Sequence, residues 1–243
     1  MSQEFSFSDI DVDGALAEAR HDAVEALDGD SRRSFLKRAG LAGGAAMGGG
    51  AVLSALVPGA ALAFGGGRPP ASKFGAGDVG ILRFALTLEY LESSFYNEAT
   101  IAERRRPFLH GPHAGQLRTF LRAVTDDENQ HVAALRHVLG SKAQARPKFH
   151  FNGDTADMRR FMKASFTFEN TGVHAYSGQA FNISEKAVLA KALSIVTVEA
   201  RHAAVIGLIR NGSVFGISPN NAFDTPFTAA QVLAGVHSLN YGL

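Results

Sequence analysis

The chain has 243 residues, with 24 Lys and Arg against 23 Asp and Glu, so its formal net charge is only +1. This balance argues against a nucleic-acid-binding protein, which would carry a strongly basic surface. The chain has no cysteine, which excludes disulfides and thiolate metal sites and leaves oxygen and nitrogen atoms as the ligands for any metal.

The first 63 residues have the layout of an export signal rather than of a folded domain. Residues 31–37 read SRRSFLK, and an apolar run rich in Gly and Ala follows and ends in the small residues of positions 61–63, ALA. This arrangement resembles a twin-arginine signal peptide with cleavage after Ala63. The resemblance implies export of the folded protein by the twin-arginine machinery to a periplasmic, cell-envelope or extracellular location.

One alternative for this segment stays open, since residues 40–63 are just long enough to span a membrane and could be kept as an anchor. Residues 64–77 are rich in Gly and Pro and are predicted to be a linker, so the domain is predicted over 78–243. From residue 64 onward the chain keeps 19 basic and 14 acidic residues. That modest excess is too scattered to indicate a nucleic-acid partner.

The remaining chain contains four long segments with the apolar period of amphipathic helices and with residues typical of helix ends. We predict these helices from the N-cap Asp78 to about Glu103, from about His113 to Leu139, from Asp154 or Thr155 to about Ala180, and from the N-cap Ser184 to Asn211. A short apolar run from Gln231 to Val236 predicts one more small helix, packed on the others. No stretch alternates like a strand, so the predicted fold class is all-α.

The connections between these helices predict their topology. The first two helices and the last two are joined by short loops, which favours two antiparallel hairpins. Between the second and third helices lie residues 140–153, which reach about 46 Å when extended, whereas a helix of about 26 residues is about 39 Å long. One long crossover along a four-helix bundle is therefore predicted, rather than four helices that run up and down in sequence.

Two E-x-x-H motifs, Glu128 to His131 and Glu199 to His202, lie on the second and fourth predicted helices. Residues three apart share one helical face, so the carboxylate and the imidazole of each motif can reach one ion. Both motifs continue the apolar stripe of their helix. The stripes are Leu117, Leu121, Val124, Glu128, His131, Leu135 and Val138, and Val188, Ala192, Ile195, Glu199, His202, Ile206 and Ile209. Carboxylates on a core stripe need a partner, because burial of an unpaired charge costs several kcal/mol.

The first and third helices each contribute another glutamate in a repeated pattern. Glu89 and Glu169 each follow a large apolar residue, Thr and a second large apolar residue, and each precedes a tyrosine by seven positions, Tyr96 or Tyr176. The repeat predicts a duplicated hairpin and a two-fold site. Counted from the helix ends, the four glutamates fall within about one helical turn of the same level in the bundle.

The charge of this set indicates what it holds. Four glutamates carry a charge of −4, which two divalent cations neutralise, whereas an empty site would require raised carboxylate pKa values. Ligation by carboxylate and imidazole without thiolate suits iron or manganese better than copper or structural zinc. Tyr96 and Tyr176 are predicted to hydrogen-bond to the ligand carboxylates.

The combination of Glu89, Glu128-x-x-His131, Glu169 and Glu199-x-x-His202 resembles the ligand pattern of the ferritin-like di-iron carboxylate family. The spacing from Glu to Tyr is similar to that of rubrerythrins. The run LEYLESSFY at 88–96 and the run AFDTP at 222–226 are similar to the exported ferritin-like and desiccation-related group. No cysteine is present for a rubredoxin domain, which removes a built-in electron donor.

The resemblance implies a ferritin-like bundle that holds two iron ions, with manganese or a mixed iron and manganese pair as the alternatives. It also implies that His131 and His202 anchor one metal each, that Glu128 and Glu199 bridge, and that Glu89 and Glu169 are terminal ligands. The implied activity is oxidation of iron or consumption of peroxide, with oxygen or peroxide as the small-molecule substrate. A manganese catalase-like activity uses the same ligand set.

A function of another class stays open, namely a non-catalytic stress or desiccation-related envelope protein in which the metal site is structural or vestigial. The sequence leaves the oligomeric state open, a homo-oligomer included. Glu92 is weighed as an additional ligand, but the matching position in the third helix is Gly172. His174 is interpreted as an ordinary helix-side histidine.

Overall fold

A computed structural model describes residues 67–211 and 224–242, which contain six α-helices and no strand. The helices are α1 (Ala71–Phe74), α2 (Gly77–Arg105), α3 (Ala114–Leu139), α4 (Met158–Ala180), α5 (Lys186–Asn211) and α6 (Ala229–Ser238), and a 3₁₀ turn (Gly140–Lys142) follows α3. The predicted all-α class is confirmed. The signal region 1–63, positions 64–66 of the linker, the glycine expected to stop the fourth long helix at 212, and positions 222–223 lie outside the described residues.

The four long helices form two hairpins that pack on each other. Helix α2 packs chiefly on α3, and α4 chiefly on α5, while α2 also contacts α4 and α3 contacts α5. The first hairpin is antiparallel, because Thr100 pairs with Thr125 at 3.0 Å and Asn97 pairs with Asn129 at 2.9 Å between their side chains. As the residue number rises along α2, it falls along α3. The four helices therefore make the predicted bundle.

The connection from α3 to α4 runs the length of the bundle beside α2. Near its start, Gln144 Nε2 donates to the backbone oxygen of Arg83 at 2.6 Å, and near its end, Thr155 Oγ1 donates to Glu98 Oε1 at 2.6 Å. Arg83 and Glu98 lie four turns apart on α2. The crossover is therefore present, and it covers the outer face of α2, which is why that helix is buried on most of its sides between positions 84 and 96.

The third long helix begins later than predicted. Helix α4 starts at Met158, and the side chain of Asp157 caps it by accepting the backbone N–H of Arg160 at 2.9 Å. The predicted caps are used elsewhere, since Asp154 accepts the hydroxyl of Tyr241 and Thr155 binds α2. Tertiary contacts thus hold these two residues in a turn before the helix.

The predicted N-caps Asp78 and Ser184 are both wrong as assigned. Helix α2 begins at Gly77, so Asp78 lies inside its first turn. The carboxylate of Asp78 instead accepts the backbone N–H groups of Ser184 at 2.9 Å and of Glu185 at 2.8 Å, just before α5 begins at Lys186. An acidic residue of one helix therefore binds the N–H groups of the two residues that precede another helix.

The predicted small C-terminal helix is present as α6, and it packs on α4. Thr228 and Gln231 form a capping box at its start. The preceding residue, Phe227, donates its backbone N–H to the oxygen of His174 at 3.0 Å and stacks on the His174 ring. His174 therefore anchors the tail on α4, which agrees with its interpretation as a helix-side residue.

Helix α5 is the one helix among the described residues that is long and apolar enough to cross a membrane. Its middle carries Glu199 and His202, and both side chains are buried against the other helices of the bundle. Soluble core helices have the same composition. We therefore interpret α5 as a bundle helix.

Candidate metal centre

The structure brings together the six side chains that the sequence singles out, one glutamate each from α2 and α4 and an E-x-x-H pair each from α3 and α5. The four glutamates, Glu89, Glu128, Glu169 and Glu199, have 0% of their surface exposed, and the histidines, His131 and His202, have 8%. Of the stripe residues around them, Val138 near the end of α3 is 51% exposed. The set thus lies in the buried middle of the bundle.

The six residues form two overlapping groups of candidate ligands. One comprises Glu89, Glu128, His131 and Glu199, and the other comprises Glu128, Glu169, Glu199 and His202. Within each group, one ligand atom from every residue lies within 4.8 Å of the others. Each group has its own histidine and its own glutamate, and the two groups share the glutamates of the E-x-x-H motifs.

Each imidazole points its Nδ1 atom into the carboxylates. His131 Nδ1 lies 3.2 Å from an oxygen of Glu128, 3.2 Å from one of Glu199 and 3.3 Å from one of Glu89. His202 Nδ1 lies 3.1 Å from Glu169 and 3.3 Å from Glu128. Both nitrogens are therefore placed where an imidazole lone pair and several carboxylate oxygens can reach the same ion.

Four carboxylate oxygens in the cluster make no well-aligned hydrogen bond within the described part of the chain, namely Glu89 Oε2, Glu128 Oε1 and both side-chain oxygens of Glu199. Three of them lie 3.2 or 3.3 Å from a histidine Nδ1, whereas Glu199 Oε2 has no such neighbour among the described residues. Buried polar atoms are nearly always paired, because leaving one unpaired costs about 1–3 kcal/mol. The donor set contains only oxygen and nitrogen, which fits divalent iron or manganese. The residues present thus suit a pair of cations, and the unpaired oxygens are the atoms that cations would satisfy.

Burial and mutual repulsion shift the pKa values of the glutamates in the cluster. Burial and the charge of Glu89 raise the pKa of Glu128 to about 7. Burial and the charge of Glu128 raise the pKa of Glu199 well above its usual range. Burial also acts on Glu89, but hydrogen bonding to His131 and the charge of that imidazole lower the Glu89 pKa below its ordinary value. Without cations, protons therefore balance part of the negative charge.

The pKa values of both histidines are raised, although burial by itself would lower them. Burial alone would lower the pKa of His202, but its contacts with Glu128 and Glu169 raise it to about 11. The same competition, with contacts to Glu128, Glu199 and Glu89, raises the pKa of His131 above its usual range. Since a metal ligand must be neutral imidazole, binding of cations requires these protons to leave.

Two tyrosines brace the carboxylates across the hairpins. Tyr176 on α4 donates its hydroxyl to Glu89 Oε1 on α2 at 2.5 Å, and Tyr96 on α2 donates to Glu169 Oε1 on α4. Burial, together with the charge of the contacted glutamate, raises the pKa of both phenols well above the usual range, so both remain donors. Each tyrosine thus fixes one oxygen of a glutamate that belongs to only one of the two groups.

Sequence reasoning missed Asp127, which precedes Glu128 on α3. Its carboxylate lies 3.0 Å from His202 Nε2, so it accepts the N–H of that nitrogen and leaves Nδ1 toward the glutamates. Asp127 is off the core stripe and its side chain is 41% exposed. An acidic residue at such a position gives no periodic signal, and its role depends on a contact between two helices.

Glu92 and Gly172 occupy matching positions on α2 and α4 and break the two-fold symmetry. Glu92 is buried beside the cluster but belongs to neither ligand group. Burial, followed by the charges of Glu199 and Glu128, raises its pKa well above the usual range, so it is a neutral acid near the site. At Gly172, an added Cβ would lie 2.8 Å from Glu199 Oε2, so the absence of a side chain makes room for that carboxylate.

The cluster is reached from the surface along a groove of about 1200 Å³ between α3 and α5. His131 and His202 line this groove together with Asp127 and Gln130 of α3, while Val198 and Val205 lie on the α5 side. The edges of the imidazoles are therefore the part of the cluster nearest to solvent.

Comparison with known proteins agrees with this architecture. Residues 77–211, more than half of the chain, match the family model described as a ferritin-like domain. The matched segment begins with α2 and ends with α5, so it contains all four long helices and both ligand groups. No curated protein matches the chain.

Proposed function

Because the chain belongs to the family of ferritin-like domains, we propose that its buried cluster binds two divalent metal ions and that the protein oxidises ferrous iron or consumes peroxide. The single observation that carries this proposal is the pair of overlapping ligand groups with shared glutamates. Two cations fit the arrangement better than one, because each group contains an imidazole that the other lacks.

The assignment of ligands follows from membership in the two groups. His131 and Glu89 would hold one ion, His202 and Glu169 the other, and Glu128 and Glu199 both ions. The four glutamates carry −4 when ionised, which two divalent ions neutralise. Glu92 belongs to neither group and is not counted in this sum.

We propose iron as the native metal, with manganese or a mixed pair as the alternatives. Ferrous iron held by these residues would supply one electron per ion, enough with two protons for the reduction of dioxygen to hydrogen peroxide, or of peroxide to two water molecules. With manganese, the same ligands would support conversion of two peroxide molecules into dioxygen and two water molecules. The ligand set alone does not separate these metals.

The chain contributes positioning, exclusion of water and proton storage. Tyr96 and Tyr176 hold Glu169 and Glu89 in fixed orientations through their hydroxyls. Asp127 holds the proton of His202 at Nε2. Glu92 is buried beside the cluster, where its carboxyl would take up and release protons during turnover.

We also propose that the protein works outside the cytoplasm. The support is the sequence alone, namely the twin-arginine-like run at 31–37 and the ALA site at 61–63. The signal would let the bundle fold before export, and a folded bundle can carry its metal with it. Fractionation of cells that express the full chain, with immunodetection in each fraction, tests this location.

The test of the metal proposal compares Glu128→Gln with Glu199→Gln in the full chain. Both glutamates belong to both groups, so each change is expected to reduce metal content from two ions per chain and to abolish oxidation of ferrous iron and turnover of peroxide. Glu185→Gln is the matched control, since Glu185 is exposed and should leave both readouts unchanged.

Three results would contradict the proposal. Unaltered metal content in both variants would show that the cluster is not the binding site. Metal bound in the unchanged protein without any turnover of ferrous iron or peroxide would favour the non-catalytic envelope protein. Activity that survives in both variants with metal lost would place the chemistry elsewhere.

A further inference from the structure

An apolar cavity of about 130 Å³ lies between the four long helices, at the end of the bundle where α2 and α5 begin. Its inner wall includes Leu88, Leu135, Tyr176 and Ile195, all nearly fully buried. Its outer wall includes Ala187 and Lys191, which are exposed. The cavity therefore extends from the surface toward the middle of the bundle.

The cavity meets the metal cluster through two of its wall residues. Tyr176 lines the cavity and donates its hydroxyl to Glu89 at 2.5 Å. Ile195 also lines it and lies one turn before Glu199 on α5. A molecule in the cavity is thus separated from the ligand carboxylates by single side chains.

The polar atoms around the cavity are engaged elsewhere. Among the lining residues, Tyr176, Gln179 and Lys191 alone carry polar side-chain groups. The Gln179 amide donates to the backbone oxygen of Gly67 and accepts from Asn182, the Tyr176 hydroxyl binds Glu89, and Lys191 lies at the exposed end. A water molecule needs two to four polar partners, so this space favours an apolar occupant.

We propose that this cavity binds a small apolar molecule and that dioxygen is its occupant on the way to the metal centre, an inference that rests on the proposed function. An apolar cavity of about 150 Å³ is known to stay dry and to bind xenon or benzene, so the volume suits a gas molecule. Cations and peroxide are polar, and they would enter instead by the groove in which His131 and His202 lie. The two oxidants would then reach the cluster by different routes.

The first test uses xenon as the probe on metal-free crystals of the full chain. Xenon is expected to give an anomalous peak in the cavity beside Tyr176 and Ile195, and Ala192→Phe, which fills the cavity, should lose that peak. Ordered water in the cavity, or no xenon peak there, would overturn the inference. Density for a long chain molecule would overturn the assignment to dioxygen. None of these results depends on whether metal binds.

The second test measures the oxidation of bound ferrous iron by dioxygen and by peroxide in Ala187→Trp. Ala187 is exposed at the outer end of the cavity, so this variant is expected to fold and to obstruct entry. Ala190→Trp is the matched control, because Ala190 is also exposed on α5 but does not line the cavity. The rate with dioxygen should fall several-fold in Ala187→Trp alone, while the rate with peroxide and the metal content stay unchanged.

Parallel slowing with both oxidants, or equal slowing in the control, would overturn the role of the cavity as a route. Failure of the unchanged protein to bind metal would instead contradict the proposed function. The xenon result would still test the cavity, because it does not depend on bound metal. The two proposals therefore fail in different measurements.

Discussion

The two histidines of the centre differ in what surrounds their outer nitrogen atoms. Asp127 lies 3.0 Å from Nε2 of His202, whereas the described residues place no carboxylate against Nε2 of His131. A carboxylate behind a ligand histidine fixes its tautomer and raises its basicity. The site that includes His202 should therefore depend on Asp127 in a way that its partner site does not.

Asp127→Asn is expected to weaken one of the two metal sites and to leave the other unchanged. Loss of such a partner typically costs about 10- to 100-fold in metal affinity, and the half-exposed position of Asp127 favours the lower end. Competitive titration with a chelator resolves the two sites. Asp126→Asn is the control, because Asp126 is the exposed neighbour on α3. Equal weakening of both sites, or weakening in the control, would contradict the assigned role.

At the residue scale, spacing in the sequence already grouped the side chains that the structure brings close together, because residues three and seven apart on a helix share a face. The positions of Glu89, Glu128, Glu169 and Glu199 at one level also followed from helix rise. Asp127 could not be predicted in this way, since its partner is on another helix. The fit of Glu199 beside Gly172 depends on the distance between α4 and α5, which no spacing in one helix reveals.

At the scale of elements, the long helices were predicted within a few residues, and their first residues were the least certain part. Helix starts depend on which group accepts the free N–H atoms. Before α5, Asp78 of α2 holds the N–H groups of Ser184 and Glu185. Near α4, the candidate caps Asp154 and Thr155 are drawn into tertiary contacts. Local propensity does not contain such information.

The C-terminal tail is joined to α4 by a close approach that only glycine permits. A Cβ at Gly178 would lie 1.8 Å from the backbone oxygen of Phe227. We expect Gly178→Ala to push the segment before α6 away from α4 and to lower the free energy of unfolding by about 1–3 kcal/mol, the usual cost of overpacking.

Chemical denaturation measures this loss, and limited proteolysis should show earlier cleavage within residues 224–242. Gly115→Ala on α3 is the control, because an added Cβ there meets nothing within 4 Å. Alanine favours helix over glycine, so the control should be neutral or slightly more stable. If Gly178→Ala were as stable as the control, the packing of the tail on α4 would be in doubt.

At the scale of the whole molecule, the long crossover was predicted from its length, but its path beside α2 was not. The crossover buries a face of α2 that would otherwise meet solvent, so α2 can carry apolar residues nearly all round. Helix α5 has no such cover in the described residues, and Leu193, Val205 and Leu208 are 40–50% exposed. Both helices are rich in apolar residues, but only the packing shows that α2 is covered by the crossover and that α5 keeps apolar side chains exposed.

Metal should change how stability depends on pH. In the metal-free protein, Glu128 has its pKa raised from 4.5 to about 7 and His202 from 6.5 to about 11. The folded state therefore holds more protons than the unfolded chain, from pH 4.5 to about 7 at Glu128 and from pH 6.5 to about 11 at His202. The stability of the metal-free protein should fall as the pH rises through these ranges. The lowered pKa of Glu89 acts in the opposite direction, but it is one group against several.

Cations bound at the proposed site would replace these protons, so metal affinity should rise with pH. The difference in melting temperature between the metal-loaded and chelator-treated protein is expected to widen from about pH 5 to about pH 9. Calorimetric scans of both forms in matched buffers measure this difference. A gap that stays constant or narrows would show that binding releases no protons and would contradict the protonation described for the cluster.

Two metal ions are expected to lie in the middle of the bundle and to share Glu128 and Glu199. Anomalous diffraction from crystals of the protein with its native metal, measured at the iron and manganese edges, tests this most directly. We predict two peaks, one beside His131 and Glu89 and one beside His202 and Glu169, with the shared glutamates contacting both. A single peak, or peaks confined to the surface with the cluster empty, would contradict a shared two-metal site.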